Sequence, residues 1–243
     1  MRTPYDTIGV NYSDLRKPDS RIEREIGGAL GSAETVLNVG AGAGSYEPTD
    51  RHVTAIEPSA EMIRQRGPSA APALQGYAED LPFNDNSFDA AMAILTVHHW
   101  TDKEKGLKEM RRVTRGRVVV LTFDPSFRGG WLMDYFPDLV KLDDEIMPGM
   151  TDYEAWLGSV EIAPVPIPHD CTDGFLYAYW RRPQAYLDAR ITAAMSSFWA
   201  LDNISEGLEK LASDLDSGTW AERYSELLDL DACDAGYRLV TTK

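Results

Sequence analysis

The hydrophobic positions of this 243-residue chain alternate between two spacings. Ile22, Ile26 and Leu30 recur every four residues and predict a helix after Pro18, capped by Asp19 or Ser20 and stopped at Gly31. Two short apolar runs follow, Val36 to Val39 and Val53 to Ile56, of the kind shown by strands buried on both faces. Ser59 then caps a short helix with Met62 and Ile63 turned inward. Ala73 to Tyr77, Ala90 to Leu95 and Val118 to Phe123 predict a third, fourth and fifth strand. Before the fifth, Thr101 and Glu104 read as a capping box, opening a helix with Leu107, Met110 and Val113 on its buried face and Gly116 at its end. Trp131 to Leu142 and Asp152 to Leu157 predict helices, and Val160 to Ile167 a sixth strand roughened by Pro164, Pro166 and Pro168. Ala178 to Trp180, Pro183 to Trp199 and Ile204 to Leu215 again have helical spacing before a last strand, Tyr237 to Thr241. Strands alternating with helices in this way predict an α/β fold.

The sharpest local signal runs from Thr35 to Glu57. A buried strand breaks into Gly40, Gly42 and Gly44, and glycines at alternate positions suit a loop pressed against a bound molecule, where a Cβ would intrude. The second strand ends in Glu57, placed to accept hydrogen bonds from ribose hydroxyls at the carboxyl edge of a doubly wound sheet. A dinucleotide site wants G-x-G-x-x-G and a full helix under its pyrophosphate. Here the third small position is Ser45, and Pro48 interrupts the short stretch before Val53, so a nucleoside without phosphate fits better. A nicotinamide dehydrogenase is disfavoured on the same ground.

Charge and composition narrow the partners. The formal net charge is −15, from 39 acidic and 24 basic residues, which repels nucleic acid and anionic membrane over most of the surface. Cys171 and Cys233 stand far apart, as suits a reducing cytosol, and offer no zinc framework. The first residues lack the apolar core of a signal peptide, and no apolar run approaches the length of a bilayer span. The expectation is a cytoplasmic protein acting on a small molecule, with no metal, nucleic-acid or membrane partner; the sequence leaves its oligomeric state open.

Three segments in order, VLNVGAGAGSYEP, VTAIEPSAEMI and YAEDLPFNDNSFDAAMAILTVHHW, resemble the glycine motif, the ribose-binding segment and the adenine-flanking region of class I S-adenosylmethionine (SAM)-dependent methyltransferases. The resemblance is close over about the first 125 residues and only in outline beyond. It implies a Rossmann-like, seven-stranded doubly wound sheet forming one domain over 1–243, with a leader and helix at 1–34. The cofactor it implies is SAM, transferring its methyl group to a small-molecule acceptor; a SAM-binding protein without turnover is the alternative.

By that resemblance Gly40, Gly42, Gly44, Glu57 and Pro58 hold the cofactor, with Met62 covering the adenine unless it is plain core. Related enzymes often carry an acidic residue where Tyr77 stands, so Ala78 and Glu79 are expected to take that role. Leu95 and His98 fall where cofactor and substrate meet. Tyr12 and Arg16, in a leader that often folds over the cofactor, suit the methionine end, the guanidinium facing a carboxylate; a packed tyrosine and a solvated arginine are the alternative. His98 and His99 invite a reading as base or metal ligands, although adjacent histidines on a turning segment should point apart.

Between the sixth and last strands, where a hairpin would suffice, 176–234 intervenes and reads as a helical lid over the acceptor. The sixth strand should deliver PHDCTDGF to the rim of the site. His169 is therefore the candidate general base, with Asp170 and Asp173 available to orient it; a plain loop with both aspartates on backbone amides is the competing reading.

Overall fold

The computed structural model describes residues 16–243. Seven strands form one sheet: β1 (Thr35–Val39), β2 (His52–Glu57), β3 (Ala73–Gln75), β4 (Phe88–Ile94), β5 (Thr114–Phe123), β6 (Val160–Pro168) and β7 (Ala232–Thr242), in the order β3-β2-β1-β4-β5-β7-β6. β1 to β5 are parallel, and β7 lies antiparallel between β5 and β6. β6 therefore runs with β5, and its carboxyl end reaches the same edge as Val39, Glu57 and Ile94. Strand order reverses between β1 and β4, and the crevice at that edge is where such sheets bind ligands.

Both faces of the sheet are covered, which is why the central strands are almost uniformly apolar. Ile22, Ile26 and Leu30 of α1 (Ser20–Leu30) pack with Ala90, Met92, Val119 and Leu121 on one face. On the other, Leu107, Met110 and Val113 of α3 (Lys103–Val113) join Tyr153 and Leu157 of α6 (Met150–Leu157) against Ala91, Ala93, Val118 and Val120. The short α2 (Ala60–Arg64) follows β2. No helix among the described residues is long and apolar enough to cross a membrane.

Several expected boundaries move. β3 stops at Gln75, short of Tyr77. The cap of α3 is Asp102, which accepts from the Lys105 amide at 2.9 Å, because Glu79 already takes the amides of Thr101 and Asp102 and holds the chain one residue further on. Gly116 does not stop that helix: it lies inside β5, where a Cβ would come within 2.3 Å of the Asp89 carbonyl. The stretch expected as one helix from Trp131 splits at Pro137 into α4 (Leu132–Tyr135) and α5 (Asp138–Ile146). β7 begins at Ala232, so the intervening segment ends at 231 rather than at Asp234.

That segment holds α7 (Ala189–Thr192), α8 (Ser196–Ala200), α9 (Ser205–Ser217) and α10 (Thr219–Arg223). Trp131 anchors it, donating its indole N–H to the Trp180 carbonyl at 2.7 Å and meeting Tyr186 and Trp220 edge to face, both at 5.4 Å. Tyr135 to Asp214 at 2.8 Å and Tyr224 to Asp134 at 2.6 Å add polar ties.

Candidate active site

The glycine turn after β1 curls under the carboxyl end of β2. The amides of Gly40 and Ala41 donate to the Ile56 carbonyl at 2.9 and 3.0 Å, and Gly40, Gly42 and Gly44 all have positive φ, 68°, 52° and 96°. At Gly40 a Cβ would lie 2.2 Å from the Thr96 hydroxyl, so glycine lets β1 and the end of β4 approach each other. A buried ion pair fixes the far side of the loop. Arg66 bonds Glu47 at 2.6 Å and the Gly42 carbonyl at 2.9 Å, while Asn38 and the Ala71 amide also donate to Glu47.

Glu57 faces this loop, almost fully buried. One oxygen accepts the Gly42 amide at 2.8 Å and the other the Ser59 amide at 2.8 Å. Each carboxylate oxygen has further acceptor capacity, so the latch that shapes the loop can also meet a ligand's hydroxyls.

Around these residues lies a cavity of about 230 Å³. Arg16, Gly40, Gly42, Glu57, Pro58 and Met62 line it, as do Ala78, Glu79 and Leu95. Four expectations fare differently. Tyr12 lies outside the described residues. Gly44 faces away, where its Cβ would meet Ala70 at 2.8 Å. Glu79 is at the wall, but one oxygen is committed to the amides that start α3. His98 lines a second cavity instead. Sequence reasoning missed Asn38, Tyr46 and Thr96, whose roles come from chain pairing rather than from any local motif.

The second cavity, about 50 Å³, adjoins the first and shares Arg16, Leu95 and His99 with it. Phe123 from β5, Asp143 and Met147 from α5 and its end, Phe175 and Leu176 after β6, and Met195, Ser196 and Ser197 from the α7–α8 region complete its walls with His98 and Tyr237. Leu95 has φ 52°, a left-handed conformation costing a branched residue about 1 kcal/mol, and there the chain leaves β4 for the turn carrying the histidines.

That turn, Val97–His99, brings the two imidazoles together, 3.9 Å between ring centres, contrary to the expectation that they point apart. His99 reaches solvent through the cavity yet sits deep within the protein. Depth, with the charges of Arg16 and Lys103, lowers its pKa to about 4, and burial followed by its charged neighbours pushes His98 well below the usual histidine range. Burial thus favours the neutral form of both rings.

The PHDCTDGF loop is at the rim, but its members part company. Asp173, 1% exposed, takes Arg16 at 2.6 Å and the Tyr46 hydroxyl at 2.9 Å. Asp170 pairs with Arg21 at 2.7 Å. His169 turns to the Asp231 carbonyl, 3.1 Å from Nδ1, and lines neither cavity. The expected imidazole–aspartate arrangement does not form, because each aspartate is drawn to an arginine.

Residues 37–121 match the family model described as a methyltransferase domain. The fold superposes on a crystal structure from Anabaena variabilis ATCC 29413, provisionally described as a methyltransferase from an antibiotic biosynthesis pathway, at TM-score 0.83 and 36% identity over 94% of this chain and 99% of that one. An uncharacterised methyltransferase of Mycobacterium tuberculosis H37Rv is 34% identical over 112 residues, 42% of this chain and 45% of that protein, so the chain matches less than half the length of that curated relative. A geranyl diphosphate C-methyltransferase of Streptomyces coelicolor, crystallised with S-adenosyl-L-homocysteine (SAH), shares the fold at TM-score 0.50 and 13% identity over 91% of this chain and 74% of that one. With the sheet order, the glycine turn and a near end-to-end relative in agreement, the chain belongs to the class I SAM-dependent methyltransferase family.

Proposed function

We propose that this chain transfers a methyl group from SAM to a small-molecule acceptor. The reading is carried by one observation, a glycine-walled cavity adjoining a smaller one and sharing Arg16, Leu95 and His99 with it. The residues of the first cavity fit the cofactor. Glu57 suits the ribose hydroxyls, Gly40 and Gly42 leave room that side chains would fill, Met62 and Ala78 suit the flanks of the adenine, and Arg16 suits the carboxylate end. Bound there, SAM supplies a methyl group on a positively charged sulfur, already activated for transfer.

The protein's part is then to hold an acceptor close and in line, and to keep water out. Aromatic and aliphatic side chains share the walls of the second cavity with Arg16, His98, His99 and Asp143, and Met195, Ser196 and Ser197 are contributed by the segment read as a lid. Its small volume and the net charge of −15 both favour a small molecule over nucleic acid. The test is calorimetric titration with SAM, SAH and NAD, followed by an acceptor screen with SAH detection. Tight SAH binding, no NAD binding and turnover on at least one acceptor are expected. SAH binding without turnover on any acceptor would favour a SAM-binding sensor or partner subunit.

A further inference from the structure

Helix α5 carries three consecutive acidic residues, Asp143, Asp144 and Glu145, and turns the first of them inward. Asp143 falls one turn after Leu139 on the buried face, is 2% exposed, and lines the second cavity. Its Oδ2 has no hydrogen-bond partner among the described residues. An unanswered buried carboxylate is costly, and other buried carboxylates here are answered: Glu57 by two amides, Asp173 by Arg16 and Tyr46, Asp19 by Arg21 and Thr172.

Among the described residues no cation forms an ion pair with Asp143. Arg128 and Asp144 are close enough to act on its charge but pair with each other at 3.1 Å, and the nearby Tyr177 hydroxyl has no hydrogen-bond partner among the described residues. Arg16, which also lines the cavity, is held by Asp173, while burial favours the neutral forms of His98 and His99. Among the described residues, Asp143 is thus the one acidic group lining this space, and Phe123, Phe175 and Tyr237 supply the ring walls that a cation tolerates well.

Resting on the methyl-transfer reading above, we propose that Asp143 anchors and deprotonates the acceptor, and that the acceptor is a small amine entering as its ammonium ion. The ammonium supplies the counter-charge that the fold withholds. A neutral alcohol would offer only a hydrogen bond and leave the carboxylate charge buried, and an anion would be repelled. In the proton step an N–H bond of the ammonium breaks, its electron pair stays on nitrogen, and an O–H bond forms on Asp143. The nitrogen pair is then free to form the N–CH3 bond as the S–CH3 bond of SAM breaks with its electron pair left on sulfur, giving SAH; the methylated ammonium leaves as the cation, and Asp143 returns its proton to solvent. Burial raises the Asp143 carboxyl to about 7, with Asp144 adding and Arg128 opposing, which makes it a stronger proton acceptor than an exposed aspartate.

The experiment is calorimetry on SAH-saturated protein with primary amines from methylamine to benzylamine, each beside the alcohol of the same shape. At least one amine should bind tenfold or more tighter than its alcohol. Asp143→Asn should remove at least tenfold of that preference with SAH affinity within twofold, the retained SAH site showing that the variant is folded, and Asp143→Glu should restore part of it. Alcohols binding as well as amines, no amine binding at all, or an amine preference untouched in Asp143→Asn would each overturn the proposal while leaving SAH binding intact. Failure of the wild type to bind SAH would instead overturn the methyl-transfer reading, and this inference with it.

Discussion

Asp173 takes the guanidinium of Arg16 with both oxygens, at 2.6 and 3.4 Å, and so ties the chain before α1 to the loop after β6. The same carboxylate accepts from Tyr46, whose backbone has the left-handed φ of 63°. Three separate segments thus meet on one buried group. Asp173→Ala is expected to cost about 3 kcal/mol in chemical denaturation, as when one partner of a buried ion pair is removed. SAH affinity should fall about tenfold, because Arg16 at the cavity wall loses its orientation. Unchanged stability would mean the tie is ornamental.

Two glycines separate packing from ligand room. Gly40→Ala should destabilise the fold, since its Cβ would strike Thr96 at 2.2 Å. Gly42→Val meets nothing nearer than the flexible end of Met62 at 3.5 Å, so its stability cost should come from φ 52° alone, about 1 to 3 kcal/mol, while the side chain fills the cavity and abolishes SAH binding. Thermal melts and SAH calorimetry on both variants would separate the effects.

Asp143→Asn should stabilise the protein at alkaline pH. The carboxyl rises from 3.8 unfolded to about 7 folded, so the folded state holds the proton more tightly. Its contribution to stability is full below pH 4 and lost as pH climbs through 7. At about 1.36 kcal/mol per unit the ionisation penalty above pH 7 is at most ~4 kcal/mol, and the amide's own unmet donors should leave a net gain of about 1 to 3. Urea titrations at pH 5 and pH 8.5 should show the advantage mainly at the higher pH.

Hydrogen exchange should divide the 176–231 segment. The part around Trp131 is fastened by ring packing and by Tyr135–Asp214 and Tyr224–Asp134, whereas residues 189–204 form short helices that reach the second cavity. SAH together with an acceptor should slow exchange over 189–204 and scarcely alter 205–223. Protection confined to the glycine turn would refute closure.

His169→Ala should leave turnover within a few fold of wild type, because the ring is bound to the Asp231 carbonyl outside both cavities. A large loss of kcat with SAH affinity intact would restore it as the base.

The glycine-walled cavity could be read from the sequence because its determinants are consecutive. A buried strand, three glycines and a carboxylate at the next strand's end lie within one short stretch, and their backbone demands leave few other uses for them. The second cavity is assembled from β5, α5, the β6 exit and the α7–α8 region, so no local pattern announces it. Asp143 left one trace, its four-residue spacing from Leu139, but among Asp144 and Glu145 it reads as part of a solvated acidic face. His169 misled for the opposite reason. The strand direction was right, yet the partners expected for it were taken by Arg16 and Arg21, which pairing along the chain does not reveal.

Pro168 and Ala232 are paired neighbours across β6 and β7, so everything from 169 to 231 leaves and re-enters the sheet through a single doorway. Topologically this excursion is an enlarged hairpin loop. The entropy of closing such a loop grows only slowly with length, about 0.6 kcal/mol per doubling, so chain closure places little limit on how long the excursion is. What the excursion contains matters more than its length: Tyr177 stacks on Phe123 of β5 and Phe175 meets Tyr237 of β7, so a graft from a relative with the same doorway has to bring rings that fit this sheet.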